Sequence, residues 1–148
     1  MSNKTALFTG SFDPFTVGHA DIVKRVLPLF DRLVIGVGVN ERKQCRQTAD
    51  ERVAAIRKIY ADTPSVSVVA YSDLTIELAR REQADVIVRG VRSVKDFEYE
   101  REQAEMNRRL SGIETLLLFA DPQFSSISSG ILRELEHFGH DISEFVVR

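Results

Sequence analysis

Residues 10–19 read Gly-Ser-Phe-Asp-Pro-Phe-Thr-Val-Gly-His, a turn followed by a helix start. Gly10 and Gly18 permit close backbone approach or positive φ, and Pro14 fixes the turn. His19 falls where the next helix begins, and the free amides and dipole of a helix start favour an anion. A histidine placed there can donate a hydrogen bond to a phosphate oxygen. Taken alone, it reads equally well as a polar residue near a helix start. The G-x-G-x-x-G fingerprint and the G-x-x-x-x-G-K-S/T loop are both missing, which disfavours dinucleotide and P-loop chemistry.

Basic residues gather in two further places: Arg42, Lys43 and Arg46, then Arg89, Arg92 and Lys95. Such clusters are solvated surface unless the fold brings them to a crevice. No nucleophile–base–acid triad is legible. What the chain offers is donors and cations, the equipment for positioning anions and stabilising growing charge. Cys45 stands alone, without disulfide or zinc-site spacing, and His137 and His140 belong to no motif.

The elements that must position these groups alternate. Residues 5–9 predict a buried strand broken by the turn at Gly10. A helical stripe follows in Ile22, Val23, Val26, Leu27 and Phe30, with Pro28 blurring its end. Residues 33–39 predict a second strand. Thr48 and Glu51 have capping-box spacing ahead of a stripe of Val53, Ile56 and Ile59 or Tyr60. Residues 66–71 predict a third strand, and Asp73 is the expected cap of a helix carrying Leu74 and Leu78. Residues 86–88 predict a short fourth strand, 95–110 a long charged helix and 115–119 a fifth strand. Ser128 and Ser129 are expected caps of a last helix bearing Ile131, Leu132, Leu135 and Phe138. The alternation predicts an α/β fold, a doubly wound, Rossmann-like sandwich around a five-stranded parallel sheet. Ligands of such sheets sit beyond the carboxyl ends of the strands, which selects residues 10–19, 40–46, 89–92 and 121–129. Both basic clusters then lie at the crevice.

A chain of 148 residues with 43% hydrophobic and 28% charged residues fits one domain, 1–148. A net charge of −2 provides no overall basic field for nucleic acid. The apolar runs at 33–39 and 116–120 are strand-sized and too short to cross a bilayer. The opening Met1-Ser2-Asn3-Lys4 predicts no signal peptide, so the expected compartment is the cytoplasm, without membrane association.

Thr16-Val17-Gly18-His19 resembles the (H/T)xGH motif of the nucleotidyltransferase superfamily, and Gly10-Ser11-Phe12-Asp13-Pro14 resembles the G(S/T)FDP turn of its adenylyltransferase branch. Arg89-Gly90-Val91-Arg92, followed by Asp96-Phe97-Glu98-Tyr99-Glu100, is similar to the RG(L/V)R…DFEYE signature of the bacterial phosphopantetheine adenylyltransferases. Met106-Asn107-Arg108 and Ile127-Ser128-Ser129 match in order and at similar spacing, so the resemblance spans nearly the whole chain.

That resemblance implies adenylyl transfer from ATP to 4′-phosphopantetheine, giving dephospho-coenzyme A and pyrophosphate. It implies His19 as the catalytic contact to the ATP phosphates. It also implies an ATP site of Ser11, Phe12, Gly90, Val91, Arg92, Glu100, Phe124, Ser125, Ser126, Ile127, Ser128, Ser129 and Gly130. Ser11, Lys43, Thr75 and Arg89 are implied contacts of the second substrate, and Asn107 is a candidate contact to its pantetheine arm. Magnesium is implied with ATP, held largely by phosphates and water because the sequence shows no carboxylate cluster for it. Coenzyme A is implied as a feedback ligand, and a homohexamer, a dimer of trimers, as the assembly. Gly130 stands where the pattern has a third serine, Phe124 where it has tryptophan, and the segment around Lys43 lacks the usual Pro and Phe. Without the resemblance, Glu100 reads as part of a solvated helix face, and Arg92 and Lys95 as surface partners of Asp96 or Glu98.

Overall fold

The computed structural model describes residues 3–39 and 47–147. Its strands are β1 (Thr5–Gly10), β2 (Arg32–Gly38), β3 (Val66–Tyr71), β4 (Val86–Val91) and β5 (Glu114–Phe119). They form one all-parallel sheet in the order β3-β2-β1-β4-β5. The helices are α1 (Val17–Val26), α2 (Ala49–Ile59), α3 (Thr75–Arg81), α4 (Val94–Ser111) and α5 (Ser129–His137). The chain winds outward from β1 through β2 to β3, then returns to β4 on the other side of β1. That reversal opens a crevice over the carboxyl ends of β1 and β4.

Period-two alternation divides the core between the two faces of the sheet. Ala6 and Phe8 of β1 join Leu33, Ile35 and Val37 of β2 against Val23 and Val26 of α1 and Ile56 of α2. Leu7, Val34 and Ile87 point the other way and pack with Leu78 and Ala79 of α3. Gly36 is where the second face closes tightest. A Cβ there would come within 2.7 Å of the buried Leu78 and 3.3 Å of Tyr71.

The predicted elements are present, with four differences. The fourth strand does not stop at Val88. Arg89, Gly90 and Val91 continue it, paired with Leu117, Leu118 and Phe119 of β5, so neighbouring-strand hydrogen bonds override a locally strand-breaking sequence. Asp73 does not cap α3, whose N-cap is Leu74 without a side-chain bond. Instead its carboxylate takes two hydrogen bonds from Arg81. Thr48 caps α2 by accepting from the Glu51 amide, while the complete reciprocal box occurs at Thr16 and His19. The last helix buries Leu132 but leaves Ile131 and Phe138 exposed.

Candidate active site

The turn after β1 is held from below. Phe12 adopts a φ of 49°, and its ring lies over Gly10, where a Cβ would come within 3.1 Å of it. A side chain at position 10 would displace that ring, which gives this glycine a packing reason. Phe12, Phe15 and Phe8 then surround the His19 ring, with centroids 4.9, 5.4 and 6.3 Å away.

Thr16 caps α1 by accepting from the His19 amide at 3.2 Å, and the Thr16 amide donates to His19 Nδ1 at 2.9 Å. Nδ1 is therefore an acceptor, and the proton of the neutral ring sits on Nε2. Burial, then the positive charges of Arg89 and Arg92, push the histidine down to about 3. His19 in the free protein is a neutral Nε2–H donor throughout the physiological range.

Two cavities meet at this turn. The first, of about 450 Å³, lies towards α3 and α4 and is lined by Gly38, Tyr71, Leu74, Thr75, Tyr99, Glu100, Gln103 and Asn107. The second, of about 420 Å³, lies towards α1 and α5 and is lined by Gly18, His19, Gly90, Val91, Arg92, Phe124, Ile127, Ser128, Ser129, Gly130 and Arg133. Thr9, Gly10, Ser11 and Arg89 line both. The doubly wound topology explains the arrangement: one cavity sits on each face of the sheet, and they join over the ends of β1 and β4.

Arg89 occupies the junction. Its Nε and one terminal nitrogen donate to the two Glu100 oxygens at 2.9 and 2.7 Å, and its other terminal nitrogen donates to the Thr9 carbonyl and hydroxyl. Burial works against the guanidinium charge, but the hydrogen bonds and charge of Glu100 override it and hold Arg89 above its ordinary value. Glu100 is only 6% exposed, so the solvated-face reading of this residue is wrong. It lines the first cavity, across the junction from the nucleotide side where the resemblance puts it.

The helix starts of α1 and α5 both face the second cavity, and first-turn amides have no intrahelical acceptor. Ser128 caps α5 by accepting from the Ile131 amide, which leaves its own proton available. The Ser129 hydroxyl donates to the Pro14 carbonyl at 2.8 Å and so ties α5 to the turn. Gly130 has room for the serine that the resemblance expects, since a Cβ there would meet only Arg133, at 3.7 Å.

Of the expected site residues, Ser11, His19, Arg89, Gly90, Val91, Arg92, Phe124, Ile127, Ser128, Ser129 and Gly130 gather around the second cavity. Phe12 touches it but is 2% exposed, so its ring supports the site rather than offering area to a ligand. Thr75 and Asn107 line the first cavity, with the Thr75 hydroxyl 3.1 Å from that of Tyr71. Ser125 and Ser126 line neither, and Ser125 donates to the Pro122 carbonyl. Lys43, with Arg42, Cys45 and Arg46, lies outside the described residues. Arg92 forms the surface pair with Asp96, at 3.6 Å, while also lining the cavity.

Arg133 was not singled out from the sequence. It lines the second cavity and donates to the Asp13 carbonyl at 2.7 Å. The available signal was a cation one turn into a helix whose start was expected at the crevice. Among the described residues no group of three or more His, Cys, Asp or Glu side chains is placed to hold a metal ion. No described helix is long and apolar enough to cross a membrane.

Two joined cavities on a doubly wound sheet, with a neutral histidine at a helix start lining the second, have the layout a nucleotidyltransferase needs, and a family model described as cytidylyltransferase-like matches residues 7–135. A phosphopantetheine adenylyltransferase of Phocaeicola vulgatus is 52% identical over 143 residues, covering 97% of this chain and 95% of the relative. One of Porphyromonas gingivalis is 50% identical over 146 residues, covering 99% and 95%. The chain belongs to the phosphopantetheine adenylyltransferase family. The solved bifunctional NMN adenylyltransferase/ADP ribose pyrophosphatase of Francisella tularensis superposes with a TM-score of 0.73 at 13% identity. That superposition covers 98% of this chain and 45% of that one, a likeness of fold.

Proposed function

We propose that this chain transfers the adenylyl group of ATP to 4′-phosphopantetheine, releasing pyrophosphate and forming dephospho-coenzyme A. The supporting observation is the pair of cavities that share Thr9, Gly10, Ser11 and Arg89. A transfer between two bound molecules needs such a junction. An oxygen of the phosphopantetheine phosphate attacks the α-phosphorus of ATP, a new P–O bond forms, and the bond to the pyrophosphate oxygen breaks. The nucleophile is already an anion, so no general base is required, and catalysis rests on alignment and on donors directed at the growing charge.

In this reading ATP, with its magnesium as part of the substrate, lies in the second cavity. His19 Nε2–H, the first amides of α1 and α5, Arg92 and Arg133 meet its phosphates. The phosphopantetheine arm follows the first cavity past Thr75, Gln103 and Asn107, with its phosphate at Arg89; Lys43 keeps the role the resemblance implies. Coenzyme A, which carries both halves of the product, fits the same two cavities as a feedback ligand. The reading also includes a cytoplasmic location and a homohexamer.

The test is pyrophosphate release with ATP across phosphopantetheine, pantetheine, nicotinate mononucleotide and glycerol 3-phosphate, with CTP as the competing nucleotide. Turnover is expected only with ATP and phosphopantetheine. Pantetheine lacks the attacking oxygen and should be inert. Faster turnover of CTP with glycerol 3-phosphate would replace this reading with that of a cytidylyltransferase.

A further inference from the structure

Arg52 of α2 is 3% exposed, yet it reaches the crevice wall. One terminal nitrogen donates to the Ser11 carbonyl at 2.6 Å and the Gly38 carbonyl at 3.1 Å, and Nε donates to the Gln47 carbonyl at 3.2 Å. A single guanidinium thus joins the turn after β1, the end of β2 and the approach to α2. Burying a cation is unfavourable unless hydrogen bonds compensate it, and packing alone would be served by an apolar residue. Val53 and Ile56 fill that need on the same helix.

We propose that Arg52 is a positioning residue for the transfer, fixing the Ser11 peptide where the two substrates meet. Ser11 lines both cavities, and the next residue, Phe12, holds the left-handed φ that shapes the turn. In a trans peptide the N–H points opposite to the C=O. Holding the Ser11 carbonyl on Arg52 therefore turns the Phe12 N–H away from Arg52. That N–H makes no hydrogen bond among the described residues. A donor with its direction set in advance is what charge growing at the α-phosphorus requires. The planar fork of arginine satisfies several carbonyls at fixed angles, which a lysine ammonium cannot reproduce.

The inference rests on the transfer reaction proposed above, and wild-type turnover is the control that separates the two. If the wild type does not turn over ATP and phosphopantetheine, that reading fails. If it does, Arg52→Ala and Arg52→Lys decide the role of Arg52. Expected are folded variants by circular dichroism, with kcat per folded molecule down about 10- to 100-fold in Arg52→Ala and less in Arg52→Lys. Both KM values should stay within about threefold, because bulk binding is unchanged and alignment is lost. A separate cavity of about 260 Å³, lined by Phe12, Asp13, Arg52, Ile56, Glu136 and Val146, gives small solutes access to this side chain. Guanidinium ion below denaturing concentration should therefore restore kcat in Arg52→Ala, and urea should not. Wild-type kcat in a folded Arg52→Ala, a loss confined to one KM, or no rescue by guanidinium would each overturn the proposal. If Arg52→Ala does not fold, Arg52→Lys alone decides by the same split. Unfolding of both would assign Arg52 to folding and overturn it as well.

Discussion

His19 uses one ring nitrogen to complete the cap of its own helix, and that bond determines what the other nitrogen can do. The Thr16 amide can only donate, so Nδ1 must accept, and Nε2–H is the donor left to a ligand. Removing the ring in His19→Ala should cost about 10²-fold or more in turnover, the usual loss for one preorganised donor. It should also cost about 1 kcal/mol of stability from the broken cap. Single-turnover rates on enzyme with native circular dichroism check this; near-wild-type turnover would remove the catalytic role. The depressed titration has a definite sign. Below about 6.5 the unfolded histidine takes up a proton that the folded one refuses until about 3. Stability is therefore complete above 6.5 and falls towards pH 3, by up to ~1.4 kcal/mol per unit from this group. His19→Ala should flatten that acid limb, and nitrogen NMR of the wild type should show the Nε2–H tautomer persisting below pH 5. A ring that titrates near 6.5 would contradict the packing against three phenylalanines. The sequence showed a histidine at a helix start; the tautomer depends on a cap geometry that spacing alone does not reveal.

Between elements, the tie that matters most joins β4 to α4 through Arg89 and Glu100. Glu100 was illegible from local pattern because it sits in a helix dense with charge, and its partner lies eleven positions earlier on a strand. The same limit shortened the expected fourth strand: Arg-Gly reads as a break until β5 supplies the hydrogen bonds. The pair has two consequences that substitutions can separate. Arg89→Ala leaves a buried carboxylate without its partner and should cost about 3 kcal/mol of stability. It should also weaken phosphopantetheine binding more than ATP binding. Adding Glu100→Gln to Arg89→Ala removes the stranded charge and should recover most of the stability, but not the phosphopantetheine affinity. Denaturant melts and calorimetric titration of both substrates measure the two effects independently. Recovery of affinity along with stability would show that Arg89 acts on the fold alone. A larger loss for ATP than for phosphopantetheine would exchange the two phosphate sites.

For the whole molecule, the alternating strands and helices were sufficient to predict a doubly wound parallel sheet and to select the loops at its carboxyl edge. They could not show that this edge holds two cavities, because the division depends on which sheet face each loop leaves from. Nor could they separate core residues from apolar residues left outside. Phe97 and Tyr99, both in the motif that opens the charged helix, are 39% and 59% exposed. Val94 and Phe119 are 76% and 70% exposed, and with Phe97 they line an apolar recess beside Val91 and Ala120. This recess sits where the start of α4 meets β5, the edge strand of the sheet. An edge strand with large exposed apolar side chains is normally protected by association, because water on that surface is unfavourable and open strand edges invite pairing. The proposed hexamer would bury this surface between copies. Light scattering at micromolar concentration should accordingly give the mass of six chains. Phe119→Glu combined with Phe97→Glu should reduce that mass while preserving circular dichroism, since neither ring belongs to the buried clusters. A wild type that scatters as a monomer would leave the exposed face unexplained and remove the hexamer from the proposal. A doubly substituted variant that still scatters as six would place the contact elsewhere on the surface.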